Sequence, residues 1–190
     1  DKLEEKLATA EQTLFRRGNF NGTFDQVICD ALIKVNDAQI SLSPGFRWGT
    51  TVLPGQTITM DNVMDQTCIT YPETYRREMK GSEIKAILED VCDNLFNTDP
   101  YVQQGGDMVR VGGLDYVCDP NQTIGKRITD MQLDDGTKIE ADKPYVVAGW
   151  ATVGSQSPGE PIWDTVATYL RDVKTVKIER LNTPKLKGVK

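Results

Sequence analysis

The chain has 190 residues, 38% of them hydrophobic and 26% charged, with a formal net charge of −6 and an isoelectric point near 4.8. That length holds one well-packed domain and leaves little room for a second, and the acidic balance argues against nucleic-acid binding, where a basic face supplies most of the affinity. There is no histidine at all, which removes the commonest ligand of catalytic zinc and the usual base of hydrolytic triads.

No apolar run approaches the ~18 residues that a membrane-spanning helix needs. Cys29, Cys68, Cys92 and Cys118 lie far apart with no C-x-x-C pair, so neither a zinc knuckle nor a thioredoxin-type motif is present. Four cysteines permit two disulfides in an oxidising compartment, or pack equally well as buried free thiols; composition does not choose.

In chain order, residues 1–18 come first. Charges alternate there with Leu3, Leu7, Ala10 and Leu14, a spacing that predicts a helix with one narrow apolar stripe, read as a connector docking on an upstream domain. The remainder, 19–190, is expected to form one α+β domain of mixed β-sheet with flanking helices. Arg16-Arg17, Arg76-Arg77 and the tail Lys185, Lys187 and Lys190 read as solvated faces.

Thr23-Phe24-Asp25-Gln26 has the pattern of a capping box and opens a helix whose apolar face is Phe24, Val27, Ile28, Ala31, Leu32 and Val35. Asp37 to Leu42 alternates like a short strand. It delivers the chain into Ser43-Pro44-Gly45-Phe46-Arg47-Trp48-Gly49-Thr50-Thr51, where two glycines frame an Arg and a Trp. A guanidinium fork engages two oxygens of an anion at once, so Arg47 is the leading substrate-binding residue; pairing with a neighbouring carboxylate is the structural alternative. Trp48 either walls a channel or packs in the core. Gly45 and Gly49 allow a close backbone approach or an unusual dihedral.

Gln56 to Thr59 reads as extended, Asp61 to Gln66 as a helical turn, and Cys68 to Tyr71 as extended before Pro72. Tyr75 to Met79 is a strand. Ser82 to Phe96, with Ile84, Ile87, Leu88, Val91, Leu95 and Phe96 at helical spacing, is the clearest helix. Gly105-Gly106 and Gly112-Gly113 mark turns around Met108 to Val111, and Leu114 to Cys118 is a strand. Arg127 to Ile139 reads as a hairpin about Asp135-Gly136. Tyr145 to Trp150 is a buried strand, and Gly154 to Pro161 a second candidate functional loop. Ile162, Val166, Tyr169 and Leu170 mark a helix, and Val173 to Ile178 a last strand. Tyr71 and Trp150 join Arg47, Trp48 and Gly45 as pocket candidates. No carboxylates cluster with a histidine partner, so neither catalytic nor metal-binding residues are expected within this chain.

This order of elements resembles the C-terminal domain of the 5'-nucleotidase superfamily. Pro44-Gly45-Phe46-Arg47 stands where that family carries Gly-Gly-x-x-Arg, Pro54-Gly55-Gln56-Thr57-Ile58-Thr59 resembles its Gly-x-Ile-Thr segment, and Met79-Lys80-Gly81-Ser82-Glu83-Ile84 resembles the Thr-Gly-x-x-Ile/Leu start of its long helix. Within the superfamily, Arg16 to Thr23 and Ser43 to Thr50 resemble the SoxB family of thiosulfohydrolases of the Sox sulfur-oxidation system. The resemblance implies a periplasmic, two-domain hydrolase. Two manganese ions would sit in an N-terminal metallophosphoesterase domain, and the substrate would be a cysteine S-thiosulfonate on the carrier SoxYZ, hydrolysed to release sulfate. This chain alone would be non-catalytic.

The nucleotidase base-binding patterns are absent. Trp150-Ala151-Thr152-Val153-Gly154-Ser155-Gln156-Ser157 lacks the Phe-x-x-x-Gly-Gly-Asp-Gly wording, and the stretch around Thr70-Tyr71-Pro72 lacks Pro-Phe-Gly-Asn. A small anion therefore fits better than a nucleobase. The alternatives are a stand-alone module binding an anion or carrier peptide, and the C-terminal domain of a 5'-nucleotidase.

Overall fold

A computed structural model describes residues 2–46, 49–152 and 157–189. In chain order its elements are β1 (Lys6–Ala10), α1 (Thr23–Asn36), β2 (Ile40–Ser43), β3 (Thr57–Thr59), α2 (Met60–Thr67), β4 (Thr74–Lys80), α3 (Gly81–Phe96), β5 (Arg110–Gly112), β6 (Leu114–Cys118), β7 (Ile128–Leu133), β8 (Pro144–Trp150), α4 (Ile162–Val173), β9 (Thr175–Val176) and β10 (Lys185–Leu186). This is the mixed α+β domain expected, with helices outside three small sheets.

The central sheet runs β4-β8-β2-β5. Strands β2 and β8 are parallel, with Leu42 opposite Gly149, and the outer pairs are antiparallel, with Thr74 opposite Trp150 and Ser43 opposite Arg110. Side chains on a strand alternate between faces, and β8 shows the consequence. Tyr145 and Val147 join a core with Ile40, Leu42 and the α3 residues Ile84 and Leu88. Ala148 and Trp150 join the opposite core, built on Phe24, Val27, Ile28 and Leu32 of α1 and Val166 and Leu170 of α4. The sheet is thus covered on both faces, and every residue of β2 is buried.

Two expectations are corrected here. The segment 1–18 is not a connector helix: Lys6–Ala10 is a strand, antiparallel to β3 and parallel to β9. Leu7, Ala8 and Ala10 are buried while Leu3 is 43% exposed, so the stripe of leucines is not one helical face. The two neighbouring strands satisfy the backbone instead, with Thr9 N donating to Lys174 O at 2.9 Å and Ala10 N to Gln56 O at 2.9 Å. The capping box of α1 is also absent. Gly22 is the N-cap, and the Thr23 hydroxyl donates to Thr13 O at 2.8 Å and accepts from Phe15 N at 3.1 Å. A capping box does form one helix later, where Thr59 and Asn62 cap α2 reciprocally.

The Asp135-Gly136 turn is realised, with Gly136 N donating to Leu133 O at 2.8 Å and Leu133 N to Thr137 O at 2.8 Å. Its return limb is a single bridge, Gln132 to Lys138, and the main partner of β7 is β6. Among the described residues no helix is long and apolar enough to cross a membrane.

Candidate functional site

Because β2 and β8 are parallel neighbours, their carboxyl ends leave the sheet together. In α/β sheets that edge is where ligands bind. Both loops singled out from the sequence start there, one after Ser43 and one after Trp150. Between them lies a cavity of about 360 Å³ bordered by Pro44, Gly45 and Phe46 on one side and Ala151 and Thr152 on the other. Its floor is apolar, from Leu42, Ile87, Val91, Val109 and Trp150, and its charged members are Arg77 and Asp107.

Trp150 is 4% exposed and donates from Nε1 to Ser43 Oγ at 2.8 Å. The hydrogen bond joins the ends of the two parallel strands and fixes the indole as a wall, so Trp150 belongs both to the core and to the cavity. Gly45 is required by close packing: a Cβ there would collide with the Met108 carbonyl. Gly149 has the same role under Tyr75, whose ring would meet any side chain at that position. Tyr75 borders the cavity in turn and carries the Arg77 guanidinium 4.7 Å from its ring centroid.

Arg47 and Trp48 lie outside the described residues, as do residues 153–156, which include the first three of the second loop. Tyr71 does not reach the cavity. It is 44% exposed with φ 62°, just before Pro72, whose carbonyl accepts from Ile162 N.

Beneath the first loop sits a buried ionic network. Arg16 Nε donates to Asp25 Oδ1 at 2.7 Å, and Arg110 Nε stands 3.1 Å from Asp25 Oδ2; all three side chains are fully shielded. Burial pushes the Asp25 carboxyl upward, against the pull of the two guanidiniums. The remaining donors of both arginines go to backbone carbonyls. Arg16 reaches Gln66 O at 2.6 Å and Pro44 O at 2.9 Å, and Arg110 reaches Asn19 O at 3.0 Å, Met108 O at 3.1 Å and Gly18 O at 2.5 Å. Arg110 Nη2 also lies 3.7 Å from Asp107 of the cavity wall.

The far foot of the loop is anchored as well. Thr50 donates from N (2.6 Å) and Oγ1 (2.8 Å) to Asp65 Oδ2, and Gln66 Nε2 donates to Thr50 O at 2.5 Å. Arg16 therefore corrects the solvated-face reading: at 1% exposure it is a loop anchor. Arg76 is exposed as expected, with Nε donating to Asn36 O at 2.8 Å. Asp25 and Arg110 were not legible as a pair, although Asp25 shares the buried face of α1 with Ile28, Cys29 and Leu32. A carboxylate on an apolar helical stripe is the signal that points to a buried partner.

Among the described residues no three His, Cys, Asp or Glu side chains come together to hold a metal ion. The site is a half-open, largely apolar cleft whose charged lining, among the described residues, is one cation, Arg77, and one carboxylate, Asp107. Such a cleft can shield a small ligand from water while Arg77 offers a cationic contact.

A domain of this topology, with its cleft at the carboxyl ends of two parallel strands, belongs to the 5'-nucleotidase C-terminal-domain family; the family described as "5'-nucleotidase, C-terminal domain" matches residues 6–163. The chain is similar to Thermus thermophilus sulfate thiohydrolase SoxB, solved in complex with glycerol, at 36% identity and a TM-score of 0.90, covering 100% of this chain and 36% of that one. It is also similar in fold to a 5'-nucleotidase precursor from Thermus thermophilus (18% identity, TM-score 0.77, 100% of this chain and 41% of that one). A putative 5'-nucleotidase from Staphylococcus aureus, in complex with α-ketoglutarate, shares the fold at 15% identity and a TM-score of 0.76, over 98% of this chain and 41% of that one. The chain therefore spans well under half the length of these structures. No curated protein matches it in sequence.

Proposed function

We propose that this chain is the substrate-recognition domain of a SoxB-like thiosulfohydrolase, acting on a cysteine S-thiosulfonate carried by SoxYZ in the periplasm. The observation that carries the reading is the contrast between 36% identity to the sulfate thiohydrolase and 15–18% to the two nucleotidases, although all cover 98–100% of the chain. The catalytic groups and two manganese ions are assigned to a metallophosphoesterase domain outside these residues, and the described carboxylates do not fit a metal site.

In this reading Arg47 engages two sulfonate oxygens with its guanidinium fork, and Arg77 adds positive charge at the cavity rim. Trp150, Phe46 and Leu42 give the cleft apolar walls, and exclusion of water strengthens each charge contact there. The carrier arm would enter beside Gly45. The test is sulfate release from a thiosulfonate-loaded carrier cysteine by the complete enzyme, run beside AMP hydrolysis. Sulfate release without nucleotide turnover supports the reading, and AMP hydrolysis without sulfate release overturns it.

A further inference from the structure

Two of the four cysteines meet. Cys92, in the last turns of α3, and Cys118, at the end of β6, place their sulfurs 3.4 Å apart although they are 26 positions apart in sequence. Neither has any exposure. The other two go elsewhere: Cys29 is buried in α1 with its thiol against Ser41, and Cys68 is exposed after α2.

We propose that Cys92 and Cys118 are an oxidation site that closes into a disulfide stapling α3 to the β6–β7 sheet. The geometry around them is already fixed. Glu89, one turn earlier on α3, accepts from Gly125 N at 2.7 Å, Arg127 N at 3.3 Å and Ile128 N at 2.8 Å, and Arg127 Nη1 donates to Asp93 at 2.5 Å. Helix and sheet are thus held in register on both sides of Cys92, which keeps the two sulfurs opposed at 3.4 Å.

The step needs an external disulfide, of the thiol–disulfide oxidoreductase or oxidised-glutathione class. The Cys118 thiolate attacks one donor sulfur and expels the other as a thiolate. The Cys92 thiolate then displaces the remaining donor sulfur, the Cys92–Cys118 bond forms, and the two protons leave on the reduced donor. The same sequence runs with the two cysteines exchanged, since their contact forms only as α3 seats. Both sulfurs are sealed in the finished fold, so exchange takes place before α3 seats.

The staple bears on the cleft. Val91, adjacent to Cys92, and Ile87, one turn earlier, form its α3 wall. Closing the ring removes conformations from the unfolded chain and holds that wall in place.

The test equilibrates the full chain with oxidised glutathione during refolding, then denatures it in an alkylating reagent without reductant and maps the peptides. The expected result is a linked Cys92–Cys118 pair with Cys29 and Cys68 alkylated. Four alkylated cysteines, or a link involving Cys29 or Cys68, overturn it. A phosphine reductant should lower the thermal midpoint of the oxidised protein by about 5–15 °C; an unchanged midpoint also overturns the staple, without recourse to variants. Cys92→Ala/Cys118→Ala should show no response to reductant.

Discussion

Arg16 and Gln66 are joined in a way that ties the two feet of the Arg47 loop together. Arg16 Nη1 donates to the Gln66 carbonyl at 2.6 Å, while the Gln66 side-chain amide donates to the Thr50 carbonyl at 2.5 Å. Arg16 holds Pro44 at the start of the loop with its other arm. The loop is therefore clamped at both ends by groups that never touch the cavity.

The clamp depends on Asp25. Asp25→Asn leaves Arg16 buried without its counter-charge and Arg110 with only Asp107 at 3.7 Å, a loss expected to cost about 3–5 kcal/mol. Urea denaturation should show the midpoint falling with its slope unchanged. A loss under about 1 kcal/mol would mean that the backbone carbonyls alone satisfy both guanidiniums.

In the complete enzyme, Arg47→Ala should cut turnover on the thiosulfonate by about ten- to a thousandfold, with Arg47→Lys recovering only part of it because the bidentate fork is lost. Steady-state sulfate release measures this. Wild-type kinetics in the alanine variant would remove Arg47 from the site.

AMP should leave the tryptophan emission of the chain unchanged. Trp150 forms part of the cavity wall, so a base stacked in the cleft would quench it. Saturable quenching by AMP would favour the nucleotidase alternative.

Asp30 gives a pH signature. Burial, with Asp134 adding to it, pushes its carboxyl up to about 6, while Gln26 Nε2 donates to it at 2.8 Å and opposes the shift. The folded protein then holds a proton that the unfolded chain loses near the ordinary value of ~3.9. Stability is unaffected by this group below that value and falls as pH rises toward 6, by a total of about 2–3 kcal/mol. Asp30→Asn should flatten the decline between about pH 4 and 6 in urea midpoints; an unchanged decline would assign it to other groups.

Thiol reactivity offers a check without activity. In the native protein only Cys68 should react promptly with an aromatic disulfide reagent. Cys29 is buried with its thiol pushed up by desolvation, and the Cys92–Cys118 pair is sealed. Rapid reaction of a second thiol in the folded state would contradict this packing.

Elements with local causes were legible from the sequence. The α3 helix follows from Ile84, Ile87, Leu88, Val91, Leu95 and Phe96 at helical spacing, of which Ile84 and Leu88 are buried, and β8 from a Tyr-Val-Val-Ala run at the middle of a sheet. Both loops were found because glycine and proline punctuate the chain at strand ends. Non-local causes were hidden. Residues 6–10 are a strand only because β3 and β9, far along the chain, flank them. Arg16 looks like half of a basic surface pair until α1 brings Asp25 beneath it. The same holds for the cysteines, whose spacing carries no information about which sulfurs meet.

The two anchors of the Arg47 loop sit on different helices: Arg16 is fixed to Asp25 of α1, and Thr50 to Asp65 and Gln66 of α2. Five residues, from 45 to 49, bridge posts whose separation the cores decide. The length of that bridge is therefore not free to drift. Insertions and deletions there would detach one post, whereas exchanges of side chain would not, except at Gly45 and Gly49, where a Cβ would meet the Met108 carbonyl and the Gln66 side chain. Among relatives of this fold, new ligand preferences at this edge should arise by replacing residues within a loop of constant length, and length variation should be confined to loops lacking such a double tether.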